Sequence, residues 1–288
     1  MKILITGSTG FVGLHLLEKI SKNKNFQLIL PVRNKNKLKN FYDNPSVKIL
    51  PFDENLEKIV IQSNPDVVIN LLGILTEIPE KNATFEKIHF EFTKRLVDGS
   101  KKSNVSLFVQ MSALGADLNS KSRYKKTKAL AEKYIIESGL AYFILRPSII
   151  LGKGQKLFED IKILSKFSPI FIAPKGKVQP VNINDVVESF IKVLNFDEKN
   201  QIFELCGKRI VSYKDLFEFV LKLLNIKRPV LEVNRNLLFP ISLIGSIFGK
   251  PITLDQWYML EKDNICLGDY KGVYDILGRV RDAFDIKI

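Results

Sequence analysis

A glycine-rich turn near the start of the chain constrains its fold more than any other feature. The apolar run Ile3-Leu4-Ile5 is followed by Thr6-Gly7-Ser8-Thr9-Gly10-Phe11-Val12-Gly13, and the apolar residues at 11–20 have helical spacing. Gly7 permits a tight turn, Gly10 lets backbone N–H groups approach a pyrophosphate, and Gly13 lets the helix pack against the strand. The alternative is a glycine-rich turn without a ligand, but the strand–turn–helix context favours dinucleotide binding at the helix N-terminus.

Strand and helix patterns alternate through the first half of the sequence. Apolar runs predict strands at residues 3–5, 27–32, 47–52, 67–72, 107–111 and 141–145, and helical spacing predicts helices at 11–20, 83–102 and 124–138. Such alternation indicates βαβ units and a parallel sheet. We therefore predict an α/β fold, with a doubly wound parallel sheet in a dinucleotide-binding domain at residues 1–150. Residues 151–288 are expected to form a smaller α/β lobe that contacts substrate or partner and does not fold independently.

Two helices are predicted in that lobe. One follows a short strand at residue 181, with Asn184 or Asp185 as its N-cap, and the other spans residues 212–224 with Ser212 as its cap. The uncharged stretch at 236–249 is shorter than the about 20 apolar residues that span a bilayer. It forms either the wall or core of the lobe, or a docking surface for a membrane or a partner.

The composition argues against several classes of protein. The 288 residues carry a formal charge of +13, but the excess is spread over both halves and no zinc-finger, helix-turn-helix or RNP-like motif accompanies it. We therefore expect no nucleic-acid partner. His15 and His89 are the only histidines, so we expect no metal site.

The cysteines and the first strand bear on location. Cys206 and Cys266 do not form a CxxC pair, which excludes a disulfide framework and favours a reducing cytoplasm. The first strand begins at residue 2, so no cleaved signal peptide is expected.

The end of the second predicted strand indicates which dinucleotide is bound. An acidic residue there binds the ribose 2′-hydroxyl of NAD, whereas a basic residue accommodates the 2′-phosphate of NADP. Arg33 occupies this place, and residues 19–39 contain seven basic side chains and no acidic one. Because arginine can pair with phosphate in bidentate fashion, the sequence favours NADP(H), with NAD(H) as the other option. The alternative is a solvated lysine-rich loop.

Tyr124 and Lys128 are candidate catalytic residues. Positions i and i+4 share one helix face, so both side chains can enter one cleft. A nearby ammonium group favours the phenolate and makes tyrosine a usable acid or base near neutral pH. Tyr258 and Lys262 have the same spacing, but Tyr124 stands between the fifth and sixth predicted strands, where the cleft is expected.

The GxxGxxG turn and the YxxxK pair together resemble the short-chain dehydrogenase/reductase superfamily. By this resemblance, Asp53 would bind the adenine amino group, Leu72 and Gly73 would lie in a turn beside the cofactor, and Pro147 and Ile149 would lie near the nicotinamide carboxamide. The implied cofactor-binding residues are Gly7, Ser8, Thr9, Gly10, Phe11, Val12, Gly13, Arg33, Asp53, Leu72, Gly73, Lys128, Pro147 and Ile149.

The rest of the superfamily's catalytic set is incomplete in this chain. Typical members add a Ser or Thr that polarises the substrate carbonyl and a helical Asn that holds a water. Ala113 stands at the usual hydroxyl position, so Ser112 is the nearest substitute and the third candidate catalytic residue. His89 stands at the Asn position, where it either holds the water or packs in the core. Because loss of an oxyanion donor costs ~2.7–4 kcal/mol, slow turnover or none is consistent with this set.

Several strings carry a closer resemblance. They include Leu71-Leu72-Gly73-Ile74-Leu75, Ile88-His89-Phe90, Met111-Ser112-Ala113-Leu114-Gly115, Arg146-Pro147-Ser148 and Ile252-Thr253-Leu254-Asp255-Gln256. Together they resemble an atypical, extended branch that contains the nucleotide-binding accessory subunit of respiratory complex I and bacterial relatives labelled NAD-dependent epimerase/dehydratase-like.

Two functions follow from this resemblance. The first is an oxidoreductase or epimerase acting on a carbonyl or alcohol of a small-molecule or lipid-like substrate. The second is a catalytically weak NADPH-binding accessory or assembly protein that associates with respiratory complex I, or peripherally with the inner face of the membrane. Relationship alone does not transfer a reaction or a partner, so both stay open here.

Overall fold

The computed structural model describes residues 1–248 and 252–286. Its strands are β1 Lys2–Thr6, β2 Gln27–Val32, β3 Val47–Pro51, β4 Val67–Asn70, β5 Leu107–Met111, β6 Tyr142–Pro147, β7 Ile150–Leu151, β8 Phe171–Pro174, β9 Lys177–Val178, β10 Val181–Asn182, β11 Gln201–Leu205, β12 Val211–Ser212, β13 Val230–Val233 and β14 Lys271–Gly272. Its α-helices are α1 Phe11–Ile20, α2 Leu56–Ser63, α3 Phe92–Lys102, α4 Arg123–Glu137, α5 Lys156–Leu164, α6 Ile183–Lys192, α7 Tyr213–Leu223, α8 Phe239–Phe248, α9 Leu254–Met259 and α10 Val273–Leu277.

One eight-stranded sheet dominates the molecule and confirms the predicted doubly wound α/β fold. Its strand order is β14-β11-β6-β5-β4-β1-β2-β3. The neighbouring pairs from β6 to β3 are all parallel. Nearly every residue of β1, β2, β4 and β5 is buried, as expected of strands that are covered by helices on both faces.

The chain divides into two compact units, each made of two segments. The first contains residues 1–146 and 187–203, and the second contains residues 147–186 and 204–288. The sequence predicts a different division, into two continuous domains that meet at residue 150. The roles given to those two domains stay predictions.

A buried cluster beneath α2 and α3 fixes these helices on the sheet of the first unit. Phe92, Leu96 and Val97 of α3 belong to one apolar core with Phe108 of β5, and all four side chains are fully buried. Burial of a large apolar side chain stabilises a fold by about 1.5–3 kcal/mol. The cluster therefore holds the strand ends in a rigid frame.

Several predicted elements begin or end elsewhere, and for two of them hydrogen bonds explain the difference. The strand predicted at 67–72 ends at Asn70, because the Asn70 side-chain oxygen accepts the N–H of Leu72 at 3.2 Å and turns the chain out of the sheet. The prediction of Asn184 or Asp185 as an N-cap is wrong, since α6 begins at Ile183 and Asn182 Oδ1 accepts the N–H of Asn184 at 2.9 Å. Ser212 caps α7 as predicted, in a reciprocal capping box with Asp215.

The second unit has its own core and a covalent cross-link. Buried apolar residues of α5, β8, α7 and β13 pack together, among them Phe158, Phe171 and Leu216. Cys206 and Cys266 form a disulfide with their Cα atoms 6.1 Å apart, within the range such bonds require. The cysteine spacing predicted no disulfide framework, but these two residues, 60 positions apart in the chain, are bonded here.

The stretch at 236–249 falls partly outside the described residues, because Gly249 is not among them. Within the described part, Leu238 and Ser242 are buried, whereas Leu237, Phe239 and Leu243 are exposed. In the ranges that the structure covers, no helix combines the length and apolar character needed to cross a bilayer.

Candidate functional site

The predicted site residues of the first unit follow neighbouring strands. The glycine turn follows β1, Arg33 follows β2, Asp53 comes two residues after β3, Leu72 and Gly73 follow β4, and Ser112 follows β5. Because the carboxyl ends of parallel strands meet at one edge of a sheet, these residues share that edge. Pro147 ends β6, and Ile149 lies in the second unit, where its carbonyl accepts the N–H of Val181 at 2.9 Å. The cofactor roles of these residues stay predictions.

The glycine turn is shaped so that side chains would not fit. Gly7 has φ +72°, and a Cβ there would lie 2.8 Å from the backbone carbonyl of Leu71. A Cβ on Gly13 would lie 2.7 Å from the Cα of Ser8. Gly10, by contrast, is exposed, and the nearest atom to its Cβ among the described residues would be the Gly7 oxygen, at 3.2 Å. Two glycines therefore serve packing, and the third keeps the outer side of the turn open.

The start of α1 suits an anion. In the described part of the chain no side chain caps this helix, and its first turn contains no acidic residue. The backbone N–H groups of the first turn therefore keep their positive potential. The buried Ser8 hydroxyl also has no partner among residues 1–248 and 252–286. A pyrophosphate placed at this turn would meet these donors, so the turn fits a dinucleotide.

Helix α4 carries the YxxxK pair on its buried face. The helix begins after Ser122, whose side chain accepts the N–H of Lys125 at 3.3 Å. Tyr124 is 9% exposed and Lys128 is 2% exposed. The competing pair does not share a helix, because α9 ends at Met259 and Lys262 lies beyond it. Of these two pairs, Tyr124 and Lys128 lie one turn apart on the same helix, whereas Tyr258 and Lys262 do not.

Lys128 is a buried amine at the edge of the sheet. Its Nζ donates to the carbonyl oxygens of Met111 at 3.2 Å and Leu72 at 3.5 Å. Burial lowers the pKa of this amine to about 8, while the Glu132 carboxylate one turn away opposes the shift. Glu132 is itself held by a two-fold hydrogen bond from Arg146 of β6, at 2.9 and 2.6 Å. An amine with this pKa can be charged or neutral near physiological pH.

Ser112 follows Met111, whose carbonyl oxygen accepts from the Lys128 amine. Its backbone N–H donates to Leu145 of β6 at 2.8 Å, and the side chain is 3% exposed. The hydroxyl has no partner in the ranges described. A buried hydroxyl without a partner costs free energy, which is consistent with a group that bonds to a ligand. Its catalytic role stays a prediction.

A buried polar network that was not predicted from the sequence lies behind the YxxxK pair. The Asn70 side chain accepts from Thr6 at 2.7 Å and donates to Thr93 at 3.0 Å and Gln110 at 2.9 Å. Thr93 in turn donates to the carbonyl oxygen of His89 at 2.6 Å. Asn70 and Gln110 are the polar residues of the apolar strands VVIN and LFVQM. A polar residue in an otherwise apolar buried strand is the sequence feature that could have predicted this network.

Arg33 and Asp53 lie at the other end of this edge. The Arg33 guanidinium is exposed and stacks over the Phe52 ring, 4.8 Å from its centroid. Asp53 is also exposed, and one carboxylate oxygen accepts the N–H of Asn55 at 2.9 Å. The stacking orients a fork of N–H donors on a rigid aromatic face.

Comparisons with known proteins agree with this geometry. A profile described as NAD(P)H-binding matches residues 7–167. The mitochondrial NADH-ubiquinone oxidoreductase 40 kDa subunit of Neurospora crassa is 28% identical over 274 residues, which cover 91% of this chain and 68% of that protein. NADH dehydrogenase (ubiquinone) 1 alpha subcomplex subunit 9 of Arabidopsis thaliana is 27% identical over 228 residues. That match covers 75% of this chain but only 56% of the plant protein.

Solved structures share the fold. A nucleoside-diphosphate-sugar epimerase of Staphylococcus aureus has a TM-score of 0.74 at 17% identity, covering 99% of this chain and 98% of that one. The UDP-glucuronic acid 4-epimerase of Bacillus cereus, solved with UDP-glucuronic acid and NAD, has a TM-score of 0.68 at 18% identity, covering 81% and 86%.

At such low sequence identity the solved structures show only that the fold is shared. The NAD(P)H-binding profile, by contrast, matches more than half of the chain and so shows the family. The chain therefore belongs to the NAD(P)H-binding family with a short-chain dehydrogenase/reductase-like Rossmann fold, and it is homologous to the 40 kDa subunits of mitochondrial NADH-ubiquinone oxidoreductase.

Proposed function

We propose that the protein is an NADP(H)-dependent oxidoreductase or epimerase acting on a carbonyl or alcohol, with Tyr124 as the acid or base. The observation that carries this proposal is the buried Tyr124/Lys128 pair on α4, beside the turn after β4 and the end of β5. A group that moves a proton needs a pKa near the working pH. The lowered pKa of Lys128, about 8, supplies an amine that can change charge there.

Each part of the sheet edge has a role in this proposal. The glycine turn and the α1 N-terminus hold the pyrophosphate, Asp53 binds the adenine, and Leu72 and Gly73 line the cofactor. Lys128 donates to the nicotinamide ribose, Ser112 donates to the substrate oxygen, and Tyr124 gives or takes the proton of that oxygen. When bound, the nicotinamide supplies or accepts a hydride. Pro147 and Ile149 would lie near the nicotinamide carboxamide, and residues 151–288 would contact a small-molecule or lipid-like substrate.

Replacing Tyr124 tests the reaction. Purified protein should show the absorbance of reduced nicotinamide, and a carbonyl substrate should bleach it. Tyr124→Phe should lower the bleaching rate by about a hundredfold or more, as expected for loss of a general acid, with an unchanged cofactor Kd. Tyr134→Phe is the matched control, because Tyr134 lies on the same helix and bonds Asp98 at 2.6 Å. Equal rates in Tyr124→Phe and wild type would contradict the role.

The preference for NADP(H) rests on Arg33. Its stacked guanidinium can bind a 2′-phosphate in bidentate fashion. Arg33→Ala should weaken NADPH binding about tenfold or more and leave NADH binding nearly unchanged. Lys35→Ala, at the next exposed basic residue along the chain, is the control. Tighter binding of NADH than NADPH by the wild type would refute the preference.

The second candidate is an NADPH-binding accessory or assembly protein of respiratory complex I, and exposed apolar side chains in the second unit favour it. Phe167 is 82% exposed, and Ile172 and Leu231, paired in register between β8 and β13, are 47% and 51% exposed. Exposed lysines, including Lys162 and Lys166, lie in the same segment. Apolar side chains among basic ones suit an anionic membrane face. The relatives named above are subunits of mitochondrial NADH dehydrogenase.

Co-sedimentation with vesicles separates the two candidates. An accessory protein should pellet with vesicles of anionic lipid, and Phe167→Ser should release it, while carbonyl compounds leave the bound NADPH unoxidised. Phe158→Leu, at a buried position of the same unit, controls for general destabilisation. Protein that ignores anionic vesicles yet oxidises NADPH with a substrate would exclude this candidate.

A further inference from the structure

His89 occupies the buried interior behind the YxxxK pair. It is 1% exposed and lies on a π-helical turn, Glu86–Glu91, that precedes α3. Its ring stacks on Phe85 and stands edge-on to Tyr124, with centroids 5.4 and 5.2 Å apart. Such π-helical turns are rare and often found at functional sites.

Both ring nitrogens of His89 are hydrogen-bonded, and the partners define the tautomer. Nδ1 lies 3.0 Å from Thr127 Oγ1, and that hydroxyl donates its own hydrogen to the carbonyl oxygen of Arg123 at 2.8 Å. Nδ1 is therefore the donor toward Thr127. Nε2 is left to accept the N–H of Ile74 at 3.1 Å, and the carbonyl oxygen of Ile74 lies 3.2 Å from the same nitrogen. Burial and the charge of Lys128 lower the pKa of His89 well below its usual value, in keeping with a neutral ring.

These bonds connect α4, which carries Lys128, to the turn after β4, one of the two segments whose carbonyl oxygens accept from its amine. Thr127 is the neighbour of Lys128 on α4, and Ile74 belongs to the turn whose Leu72 carbonyl accepts from Nζ. Gly73 lies between Leu72 and Ile74 in this turn, and a Cβ there would be 3.3 Å from Lys128 Nζ and 3.8 Å from His89 Nε2. A displaced ring would release this turn, and with it a carbonyl that holds the amine.

We propose that His89 is a positioning residue that fixes the Lys128 amine by bridging Thr127 of α4 to the Gly73-Ile74 turn. Its importance for catalysis rests on the proposed function, whereas the bridge itself belongs to the ligand-free protein. The charged group that acts on the amine is Glu132 on α4, which Arg146 of β6 holds. Tyr124 faces the ring from α4.

Two substitutions cut the bridge at opposite ends. An asparagine amide can take the place of Nδ1, and a glutamine amide can take the place of Nε2. His89→Asn therefore keeps the bond to Thr127 and loses the bond to Ile74, while His89→Gln does the reverse. Thr127→Val removes the acceptor on α4 with little change of shape. Ser100→Ala is the control, because this buried hydroxyl donates to the Leu96 carbonyl within α3, away from the bridge.

The readout is the titration of Lys128 in ligand-free protein, followed by NMR of lysine labelled at Cε and assigned by comparison with Lys128→Met. In wild type the resonance should titrate near pH 8. In His89→Asn, His89→Gln and Thr127→Val the midpoint should rise by about one unit or more, because a released amine is better hydrated. Ser100→Ala should leave it unchanged.

An unchanged Lys128 titration in folded Thr127→Val and in either histidine variant would overturn the proposal and leave His89 as a packing residue. If the histidine variants fail to fold, Thr127→Val alone decides, since it keeps the ring. A wild type that binds no NADPH would refute the proposed function and leave the titration result standing. The two failures are therefore distinguishable.

Discussion

At the residue scale, the buried Lys128 makes stability depend on pH in a specific direction. Its pKa is about 8 in the folded chain, against an ordinary value of 10.5. Between these values the unfolded chain binds more protons, so the free energy of unfolding rises with pH across this window. Below pH 8 the amine is charged in both states, and its burial cost is constant. A shift of this size corresponds to on the order of 3 kcal/mol.

Lys128→Met should remove that dependence, because methionine fills similar space without a charge. We expect the variant to be more stable than wild type near pH 7. Its free energy of unfolding should also rise less steeply between pH 8 and 10. Urea unfolding at several pH values measures both. Lys126→Met, at an exposed position of the same helix, should behave as wild type. An equal slope in wild type and Lys128→Met would mean that the amine is not desolvated.

At the scale of elements, the glycine turn separates a packing role from a binding role. The Cβ of alanine at position 13 would overlap the backbone of Gly7 and Ser8, whereas at position 10 it would meet one oxygen at 3.2 Å. Gly13→Ala should therefore lower the free energy of unfolding by about 1–3 kcal/mol and abolish NADPH binding. Gly10→Ala should keep most of the stability and still lose affinity, because it fills the open side of the turn. Thermal unfolding and NADPH titration measure the two effects. Normal affinity in Gly10→Ala would exclude pyrophosphate from this place.

Local spacing was sufficient to predict the six strands β1 to β6 of the central sheet, whereas β11 and β14 were not predicted. Helix α1 and strands β2 and β5 have the predicted bounds, because each combines an unbroken periodic pattern with a turn on either side. The helix predicted at 83–102 begins instead with the π-helical turn at His89. Its side-chain periodicity gives no sign of that turn, since the bonds that favour it go to Thr127 and Ile74, 38 and 15 residues away.

The same distinction separates the site residues. Tyr124 and Lys128 could be predicted because they lie on one helix, and the glycines because they lie within seven consecutive residues. The His89 bridge joins three segments that are distant in sequence. In the second unit several strands have only two residues, among them β7, β9 and β10. Pairs this short have no period to detect, and tertiary contacts decide them.

At the scale of the whole molecule, each unit has its own means of holding its strand ends. In the first unit it is the polar network through Asn70, with an apolar core beneath α2 and α3. In the second unit it is a set of bonds around the loop at 263–266. Asn264 accepts from Ser148 at 2.6 Å, and the N–H of Cys266 donates to the Gln179 side chain at 3.0 Å. The disulfide joins this loop to Cys206, the residue that follows β11.

The Cys206–Cys266 disulfide should therefore stabilise the second unit, and its removal is the last test. Closing a loop of 60 residues in the unfolded chain is worth about 4 kcal/mol in the chain-entropy view. Non-reducing mass spectrometry with an alkylating reagent should find no free thiol in the folded protein and two after reduction. Reduction should then lower the midpoint of urea unfolding. The double variant Cys206→Ser/Cys266→Ser should unfold like the reduced wild type and respond to no reductant. Two free thiols in untreated protein would instead support the reducing location expected from the cysteine spacing, and the loop would then depend on Asn264 and Gln179 for its position.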